Sequence, residues 1–349
     1  TVITVASGEA AKRGWLFKGG DVIEIASKIN QIIFDKTGTL TIGRPLVVGS
    51  WENHASERDE MLRLAASIEQ DSRHPLAQAI IQEALKKEII LEPVSSSNTF
   101  PGKGLAGKVN GIEGLIRVGT PEWIKSEGIK WNEIIEQNFN LSKSKAQSIV
   151  AVALENKLLG FFLIDDQLRK DAFLAINKLR SRGFLLSLFS GDRDSAVLSL
   201  GEQLGFSPKQ IQWQMLPSEK LKKLNELKNN NSLVAMIGDG INDAPALAAA
   251  DLGVAIGTGT QIAQDSADLV LLGENLEALP NALKLSKQAM FKIRQNLAWA
   301  FGYNLIALPI AAGLLLPSSG LLLSPPLAAL LMALSSITVV FNALSLKSK

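Results

Sequence analysis

Short apolar runs that end in polar turn residues recur along the chain. Each run has the length of a buried strand and is followed by turn-forming residues and an aspartate. The three runs are Ile32–Phe34 before Asp35, Leu185–Phe189 before Ser190-Gly191-Asp192, and Leu233–Ile237 before Gly238-Asp239-Gly240. The sequence therefore predicts three buried strands, each delivering a carboxylate.

Helical patterns over Asp194–Leu204 and Ser218–Leu227 lie between the second and third runs. This βαβ alternation predicts parallel strands that are neighbours in one sheet. Ligands of such sheets bind beyond the carboxyl ends of the strands, so we expect Asp35, Asp192 and Asp239 to face one crevice.

Residues 44–160 are too many for a loop and predict a second domain inserted after the first strand. The block contains the segment Glu69–Leu76 before an amphipathic helix over Ala77–Lys87, and a Gly102-Lys103-Gly104 turn. Glycines permit close approach of the backbone to a ligand. Spacing alone favours a helix-start histidine at His74 and an ordinary hairpin turn over a ligand site.

The end of the chain is strongly apolar. Residues 297–316 and 321–346 carry no charge and are long enough to cross about 30 Å of hydrocarbon, so they predict a hairpin of two spanning helices. Basic residues flank this hairpin but are missing from its Pro317–Gly320 turn; they are Lys284, Lys287, Lys292, Arg294, Lys347 and Lys349. The positive-inside rule then predicts an integral membrane protein with its catalytic domains in the cytoplasm.

Composition narrows the chemistry of the chain. The 349 residues carry a formal charge of +2, which gives no indication of a nucleic-acid partner. They include no cysteine, which excludes a disulfide scaffold, thiolate catalysis and a Cys-based metal site within this stretch. The first residues, TVITVASGEAAKRG, begin without methionine, and we interpret them as a fragment boundary.

Carboxylates that share one crevice need a cation. A single aspartate after a strand is usually a turn or capping residue, but three together favour Mg²⁺, which prefers oxygen ligands. One carboxylate can then attack a phosphoryl group, provided that the metal and a lysine such as Lys220 cancel the repulsion between the anions.

Two motifs now carry a family resemblance. Asp35-Lys36-Thr37-Gly38-Thr39 and Gly238-Asp239-Gly240-Ile241-Asn242-Asp243, with Lys220 between them, resemble the P-type ATPases. The resemblance implies a phosphorylation domain in which Asp35 becomes an acyl phosphate and holds Mg²⁺ with Asp239 and the Thr37 carbonyl, supported by Asp243. The catalytic residues that it implies are Asp35, Lys36, Thr37, Ser190, Gly191, Asp192 and Lys220, with Ser190 standing where the family usually has threonine.

The inserted block is similar to the nucleotide domain of the heavy-metal subgroup, which has a Ser-x-His-Pro segment and a Gly-x-Gly turn. This similarity implies that Glu69, His74, Gly102 and Gly104 cradle the adenine of ATP. A later position that is usually Gly-Asn is Gly119-Thr120 here, so Thr120 is not expected to match the family's contact.

The apolar hairpin resembles the copper-transporting subgroup in its spacing of polar residues. That resemblance implies Cu⁺ sites formed with Tyr303, Asn304, Met332 and Ser336, and a soluble copper chaperone as a partner. Soft thioether ligation without a carboxylate suits Cu⁺ better than Zn²⁺. For any one of these residues taken alone, helix packing is the favoured interpretation. The family's Cys-Pro-Cys is expected just upstream of Thr1, and the actuator domain lies outside this chain.

We therefore predict an α/β fold: a haloacid-dehalogenase-like parallel-sheet phosphorylation domain, an inserted α+β nucleotide-binding domain and a C-terminal two-helix transmembrane hairpin. The predicted boundaries are 1–28 for the end of a membrane helix and its extension, 29–43 and 161–282 for the phosphorylation domain, 44–160 for the nucleotide domain and 283–349 for the hairpin.

The predicted function is ATP-driven translocation of Cu⁺. The alternatives are transport of Ag⁺ or Zn²⁺, or a non-transporting nucleotide-binding fragment. A soluble phosphatase is disfavoured by the two spans and by Thr37, where such enzymes usually carry a second aspartate.

Overall fold

The computed structural model describes residues 1–53, 57–131, 133–144, 147–192, 194–228, 232–239, 243–257, 265–312 and 324–348. Four parts of the predictions lie outside these ranges: Gly240-Ile241-Asn242 of the second motif, residues 313–316 and 321–323 of the two spans, the 317–320 turn, and Lys349.

The helices, in chain order, are α1 (Val2–Lys12), α2 (Gly20–Lys28), α3 (Arg58–Glu69), α4 (Pro75–Lys86), α5 (Pro121–Ser126), α6 (Glu133–Ser144), α7 (Ala172–Ser181), α8 (Asp194–Gln203), α9 (Pro217–Lys228), α10 (Ala244–Ala249), α11 (Ala278–Ala311) and α12 (Pro325–Leu344). The strands are β1 (Trp15–Phe17), β2 (Gln31–Asp35), β3 (Thr41–Glu52), β4 (Val94–Phe100), β5 (Gly104–Val109), β6 (Ile116–Gly119), β7 (Ser148–Leu154), β8 (Lys157–Leu168), β9 (Leu185–Phe189), β10 (Ile211–Gln212), β11 (Val234–Gly238), β12 (Leu252–Ile256) and β13 (Leu269–Leu271).

Residues 1–35, 171–187 and 216–349 form the first of two compact units. Most strands of the sheet with the order β1-β13-β12-β11-β2-β9-β10 belong to it. Strand β11 pairs in parallel with β2 on one side and with β12 on the other. Strands β2, β11 and β12 are buried along their whole length, as expected for parallel strands covered on both faces, and this explains their continuous apolar runs.

One predicted pairing is wrong. The βαβ pattern predicted that the strands Leu185–Phe189 and Leu233–Ile237 are neighbours, but β2 lies between β9 and β11 in the strand order. The strands themselves form where predicted, with β9 at Leu185–Phe189 and β11 shifted by one residue to Val234–Gly238. Between them the chain forms β10, which was not predicted and which pairs in parallel with β9; the connection from β10 to β11 then passes β9 and β2, because a βαβ pattern requires a shared sheet but not adjacent strands.

Residues 36–170 and 188–215 form the second unit. Its main sheet has the order β3-β8-β7-β6-β5-β4, and the neighbouring strands in it pair antiparallel. Alternate residues of β7 enter different cores: Val150 and Val152 pack with α3 and α4, whereas Ala151 and Ala153 pack with α5 and α6. The strands of this sheet begin at Thr41 and end at Leu168; the domain boundaries at 44 and 160 stay a prediction.

The helix pair α11 and α12 belongs to the first unit. Within the described residues, one helix is long and apolar enough to cross a membrane, Pro326–Leu344, with a mean hydropathy of 2.1. The first predicted span is 297–316, and its residues up to 311 form the end of the 34-residue α11. Residues 313–316 of this span lie outside the described residues. The second span of the hairpin is therefore supported, and the first stays a prediction.

Candidate active site

Asp35 is the last residue of β2 and is almost completely buried, with 6% of its surface exposed. Lys220, on α9, donates one hydrogen bond to Asp35 Oδ1 at 2.5 Å and another to Asp243 Oδ1 at 2.7 Å. Asp243 stands directly before α10 and is 2% exposed. The fold therefore brings together a strand-end carboxylate, a buried lysine and a second carboxylate that holds the lysine in place.

This cluster is short of positive charge. Burial raises the pKa of Asp35 to about 7, and repulsion from Asp243 and Asp239 adds to that effect, although Lys220 opposes it. Burial lowers the pKa of Lys220, but the two neighbouring carboxylates outweigh it and the net shift is upward. Two buried carboxylates, Asp35 and Asp243, thus share the Lys220 ammonium group, and a further cation would stabilise their ionised forms.

The oxygen donors of this cluster fit Mg²⁺. No group of three or more histidine, aspartate or glutamate side chains arranged to hold a metal ion occurs in the described part of the chain. Because Lys220 already engages Asp243, a metal here would bind Asp35 and Asp239 together with backbone or water oxygens. Mg²⁺ accepts such a set, since it is commonly held by one or two carboxylates and keeps several waters.

The residues after Asp35 form a tight turn at Lys36–Leu40, in which Gly38 has a φ of +72°. Arg169, only 6% exposed, holds this turn: its Nε donates to Thr39 O at 2.8 Å and its Nη2 to Gly38 O at 2.9 Å. The sequence analysis missed Arg169. Its signal was weak, because an arginine at the end of a strand is usually a surface residue.

Thr41 and Asp166 support the same turn. The buried Thr41 Oγ1 accepts a hydrogen bond from Gly38 N at 3.2 Å and lies 2.5 Å from Asp166 Oδ2. Asp166 Oδ1 also accepts from Gly43 N at 2.9 Å. The backbone after the candidate nucleophile is therefore fixed by side chains from strands β3 and β8.

The remaining predicted catalytic residues lie in the second unit. Lys36 Nζ is 2.5 Å from Asp192 Oδ2, and Asp192 N donates to Ser190 Oγ at 3.1 Å. The Ser190 hydroxyl, in the place of the usual threonine, thus shapes the turn that carries Asp192. A Cβ at Gly191 would lie 3.3 Å from Met215 O, which favours glycine there. The structure groups Asp35, Asp239, Asp243 and Lys220 in one unit, and Lys36, Thr37, Ser190, Gly191 and Asp192 in the other.

A cleft of about 810 Å³ opens in the second unit beside α3, α4 and β5. All four residues predicted to contact adenine line this cleft: Glu69, His74, Gly102 and Gly104. Its size falls in the usual range for small-molecule sites. Sequence reasoning on spacing alone did not bring these residues together, whereas the fold does.

Glu69 places an unsatisfied acceptor in the wall of this cleft. Glu69 is only 6% exposed, and its Oε2 atom has no hydrogen-bond partner among the described residues. Burial raises the pKa of Glu69 to about 6, against the lowering effect of a hydrogen bond with Ser72. A buried acceptor without a donor is costly, so a ligand that donates a hydrogen bond at this point would be favoured.

His74 is both a helix cap and part of the cleft. It occupies the N-cap position of α4, and its Nδ1 accepts a hydrogen bond from Leu76 N at 3.3 Å. The helix-start interpretation is therefore correct, but it does not exclude contact with a ligand, because the exposed ring also lines the cleft.

The two glycines of the turn are required for different reasons. Gly104 packs against backbone, since an added Cβ would lie 2.2 Å from Val118 O and 2.6 Å from Gly119 Cα. Gly102 has a φ of +71° and open space around it. Thr120, whose hydroxyl accepts a hydrogen bond from Trp123 N at 3.4 Å, also lines the cleft.

The predicted Cu⁺ residues lie on α11 and α12. Tyr303 is partly buried, with its hydroxyl 3.5 Å from Ala328 O, whereas Asn304, Met332 and Ser336 are exposed. The two helices meet at a polar contact, in which Asn342 Nδ2 donates to Asn296 Oδ1 at 2.8 Å. The assignment of the four residues to a metal stays a prediction.

Comparison with known proteins identifies relatives along the whole chain. The haloacid dehalogenase-like hydrolase family matches residues 29–251. Probable copper-transporting ATPase SynA of a Synechococcus species is 40% identical over 99% of this chain and 42% of its own length. Copper-transporting ATPase 1 of Rhizobium meliloti is 38% identical over 100% of this chain and 42% of its own.

Two solved structures of heavy-metal ATPases also match the chain. A zinc-transporting PIB-type ATPase in its E2.Pi state matches with a TM-score of 0.85 and 34% identity, over 99% of this chain and 54% of that one. The catalytic domain of the CPx-ATPase CopB-B matches with a TM-score of 0.62 and 29% identity, over 80% of this chain and 98% of that one. The chain spans less than half the length of the curated relatives. These likenesses confirm the predicted fold class and the resemblance to the catalytic portion of heavy-metal P-type ATPases.

Proposed function

Because the chain belongs to the haloacid dehalogenase-like hydrolases, we propose that it is the catalytic part of a P-type ATPase that moves Cu⁺ across a membrane, driven by ATP hydrolysis. The observation that supports this most strongly is the placement of Lys220 between Asp35 and Asp243 at the carboxyl end of β2. The relatives named as copper-transporting ATPases support the cargo.

In the proposed reaction, a carboxylate oxygen of Asp35 attacks the γ-phosphorus of ATP. A bond forms between Asp35 and phosphorus, the bond to the β,γ-bridging oxygen breaks, and ADP leaves. Lys220 offsets the repulsion between the attacking carboxylate and the phosphoryl oxygens, and Asp243 holds Lys220 in position. Mg²⁺, bound by Asp35, Asp239 and the Thr37 carbonyl, would supply the remaining positive charge.

The cleft of the second unit is the proposed site of adenine. The unsatisfied Glu69 Oε2 would accept a hydrogen bond from the exocyclic amino group, and the His74 ring would pack on the base. Gly102 and Gly104 leave the backbone of the turn open to close approach. We further propose that the predicted nucleotide domain, extended to Thr41–Leu168 so that it keeps the whole of β3 and β8, folds alone and binds ATP without Mg²⁺. We also propose that Lys36 and Asp192 act in the phosphorylation step.

Acid-stable labelling with γ-labelled ATP tests the reaction. We expect ATP and Mg²⁺ to label Asp35 as a hydroxylamine-sensitive acyl phosphate, and we expect Asp35→Asn to abolish labelling. Asp21→Asn, an exposed aspartate on α2 in the same unit, is the matched control and should label normally. Normal labelling of Asp35→Asn would show that the nucleophile is another residue.

The cargo requires its own experiment, because a zinc-transporting structure matches the chain well. Zn²⁺ is therefore the second candidate, yet neither 297–316 nor 321–346 contains a carboxylate. We propose that Tyr303, Asn304, Met332 and Ser336 contribute to Cu⁺ sites in a protein that includes the upstream helices. A soluble copper chaperone would deliver the ion to these sites, and the catalytic units would face the cytoplasm.

Met332→Leu separates the two cargoes, since it keeps the volume and removes the sulfur. Metal-dependent ATPase activity of the longer protein is measured with Cu⁺, Ag⁺ and Zn²⁺ under reducing conditions. We expect activation by Cu⁺ to weaken by about tenfold or more, at least the effect of losing an outer-shell partner. Stimulation by Zn²⁺ alone, or an unchanged Cu⁺ response in the variant, would overturn the copper assignment.

A further inference from the structure

A second large pocket, of about 740 Å³, lies wholly in the first unit, at the polar end of the helix pair. It is formed by one face of α11, by the segment between α7 and β9, and by the residues that follow α12. Its basic lining residues are Arg182, Lys284, Lys287 and Lys292. Neither the phosphorylation chemistry nor the proposed cargo site uses this pocket.

The four cations lack acidic partners. Across the described residues, no carboxylate oxygen lies within 4.0 Å of a side-chain nitrogen of these four residues. The contacts of three go to neutral groups: Arg182 Nη1 donates to Pro280 O at 2.5 Å, Lys292 Nζ donates to Asn342 Oδ1 at 2.7 Å, and Lys287 Nζ lies 4.6 Å from the Phe184 ring centre. Their charge is therefore available to an anionic ligand.

The pocket is apolar as well as basic. Phe291, 60% exposed, contributes an open aromatic wall beside the basic residues, whereas Leu283 and Leu346, which also line the pocket, are almost completely buried. A small hydrophilic anion would leave this apolar surface in contact with water. A ligand that joins an anionic group to a hydrocarbon portion would satisfy both parts.

The position of the pocket beside the uncharged helix segments indicates which kind of amphiphilic ligand it can bind. Ser345 and Leu346, which line the pocket, directly follow the apolar helix Pro326–Leu344. On α11, Lys292 comes five residues before Leu297, the start of the uncharged segment, which at about 1.5 Å per residue is roughly 7 Å. That distance is close to the thickness of the polar zone on each side of the hydrocarbon, about 5 to 8 Å.

We propose that this pocket binds the headgroup of an acidic phospholipid at the membrane boundary. The phosphate lies among Lys284, Lys287, Lys292 and Arg182, and the acyl chains run along Phe291 toward the hydrocarbon. Basic pockets beside spanning helices on the cytoplasmic side are suited to such headgroups. The inference rests on the membrane placement of the helix pair in the proposed function, but not on the phosphorylation chemistry or on the cargo.

Native mass spectrometry of the 349-residue chain tests the proposal. The chain is released from detergent micelles that contain equal amounts of dioleoyl phosphatidylglycerol and dioleoyl phosphatidylcholine, without ATP or metal. We expect retention of phosphatidylglycerol. Lys284→Met and Lys287→Met keep the apolar stem and should each weaken its binding about fivefold, as expected for one cation near an acidic lipid.

Arg294→Met is the matched control, because Arg294 is an exposed cation on α11 outside the pocket lining. Equal weakening by Arg294→Met would mean general surface attraction and would overturn the proposal. Unchanged binding in both pocket variants, or equal retention of phosphatidylcholine, would overturn it too. Among the described residues, the Lys284 side chain makes no hydrogen bond or ion pair that its variant would break, so Lys284→Met keeps the test valid if Lys287→Met unfolds.

Two further readouts separate the alternatives. Inorganic phosphate that displaces phosphatidylglycerol at millimolar concentration would assign the pocket to a soluble anion and overturn the lipid assignment. Alkaline carbonate extraction of membranes reports the placement of the helix pair independently: a fully extracted chain contradicts the membrane placement, and failure of acyl-phosphate labelling leaves the lipid result unaffected.

Discussion

The carboxylate cluster around Asp35 and the cleft around Glu69 solve opposite problems. In the cluster, the charged atoms are already paired: Lys220 lies 2.5 Å from Asp35 and 2.7 Å from Asp243, and all three are buried. In the cleft, about 810 Å³ of space is open, and the buried Glu69 Oε2 has no hydrogen-bond partner in the described part of the chain. The ion pairs of the cluster are therefore formed before any ligand binds, whereas the cleft leaves one hydrogen-bond acceptor without a donor.

This difference teaches what each region can tolerate. The cluster depends on its balance of charge, because a buried ion left without a partner is strongly destabilising. The cleft depends on its shape and on one missing hydrogen bond, so its residues can be changed without leaving a new unpaired charge. Substitutions in the cluster should therefore affect folding and chemistry together, whereas those in the cleft should separate them.

The largest effect is expected for Lys220→Met, which leaves Asp35 and Asp243 buried without a cation. We expect the first unit to lose about 3 to 5 kcal/mol of stability. Hydrogen exchange of the amides in β2 and β11 of the intact chain measures the loss. Lys223→Met on the same helix is the control, since the Lys223 side chain is 43% exposed and its ion pair among the described residues is with Glu226 at 3.0 Å.

A second substitution sharpens this prediction. Adding Asp243→Asn to Lys220→Met removes one of the two unpaired charges and should restore part of the lost protection. Phosphorylation would stay low in both variants, because neither restores the cation beside Asp35. If Lys220→Met exchanges at the rate of Lys223→Met, the cluster does not contribute to stability as described.

The strands could be predicted from the sequence because their signals are local. Strand β9 forms at Leu185–Phe189 as predicted, and Asp35 ends β2, since short apolar runs are typical of strands. Strand β2 is buried along its whole length, as expected for a strand covered on both faces, whereas Leu185 at the start of β9 is exposed. Pairing was harder to predict. A run of apolar residues does not reveal which strand lies beside it, so the position of β2 between β9 and β11 came only from the structure.

Roles that depend on distant contacts were also out of reach. Arg169 is 130 residues away from Thr39, whose carbonyl it holds, and nothing near either residue indicates the other. At His74 the sequence offered two interpretations, cap or ligand contact, and the structure shows the cap while also placing the ring in the cleft. Spacing could not decide, because both roles use the same position before the helix.

Gly104→Ala is expected to give the next largest effect. Its new methyl group would overlap the backbone at Val118 O, which cannot move without disturbing β6. We expect a loss of about 3 kcal/mol in the second unit, measured by hydrogen exchange in β5 and β6. Protection equal to wild type would mean that the strands separate more easily than their packing indicates.

Gly102 provides the contrasting case within the same turn. It has a φ of +71° and open surroundings, and Gly111, with a φ of +78°, matches it outside the cleft. Gly102→Asp and Gly111→Asp should therefore cost similar stability, about 1 kcal/mol each. Only Gly102→Asp should weaken ATP binding, by about tenfold, through a carboxylate beside the nucleotide. Equal titration-calorimetry affinities would place the nucleotide elsewhere.

The smallest effect on ATP binding is expected at Glu69, where stability and binding should respond in opposite directions. Burial raises the pKa of Glu69 from 4.5 to about 6, so the folded chain binds the proton more tightly than the unfolded chain. Stability from this group is therefore full below pH 4.5 and is lost as the pH rises through 6. Glu69→Gln removes that loss and should be more stable above pH 6 by about 1 to 2 kcal/mol.

Subtracting the wild-type curve from that of Glu69→Gln isolates this group, because every other titration is common to both proteins. The difference in hydrogen-exchange protection of α3 should be near zero at pH 4.5 and reach its plateau above pH 6. A flat difference would show that Glu69 is not buried as described. ATP binding at pH 7 should weaken about fivefold in the same variant, since a neutral amide oxygen accepts a hydrogen bond less strongly than a carboxylate. A variant that gains stability and loses affinity together would establish that the unmade hydrogen bond of the cleft is kept for the nucleotide.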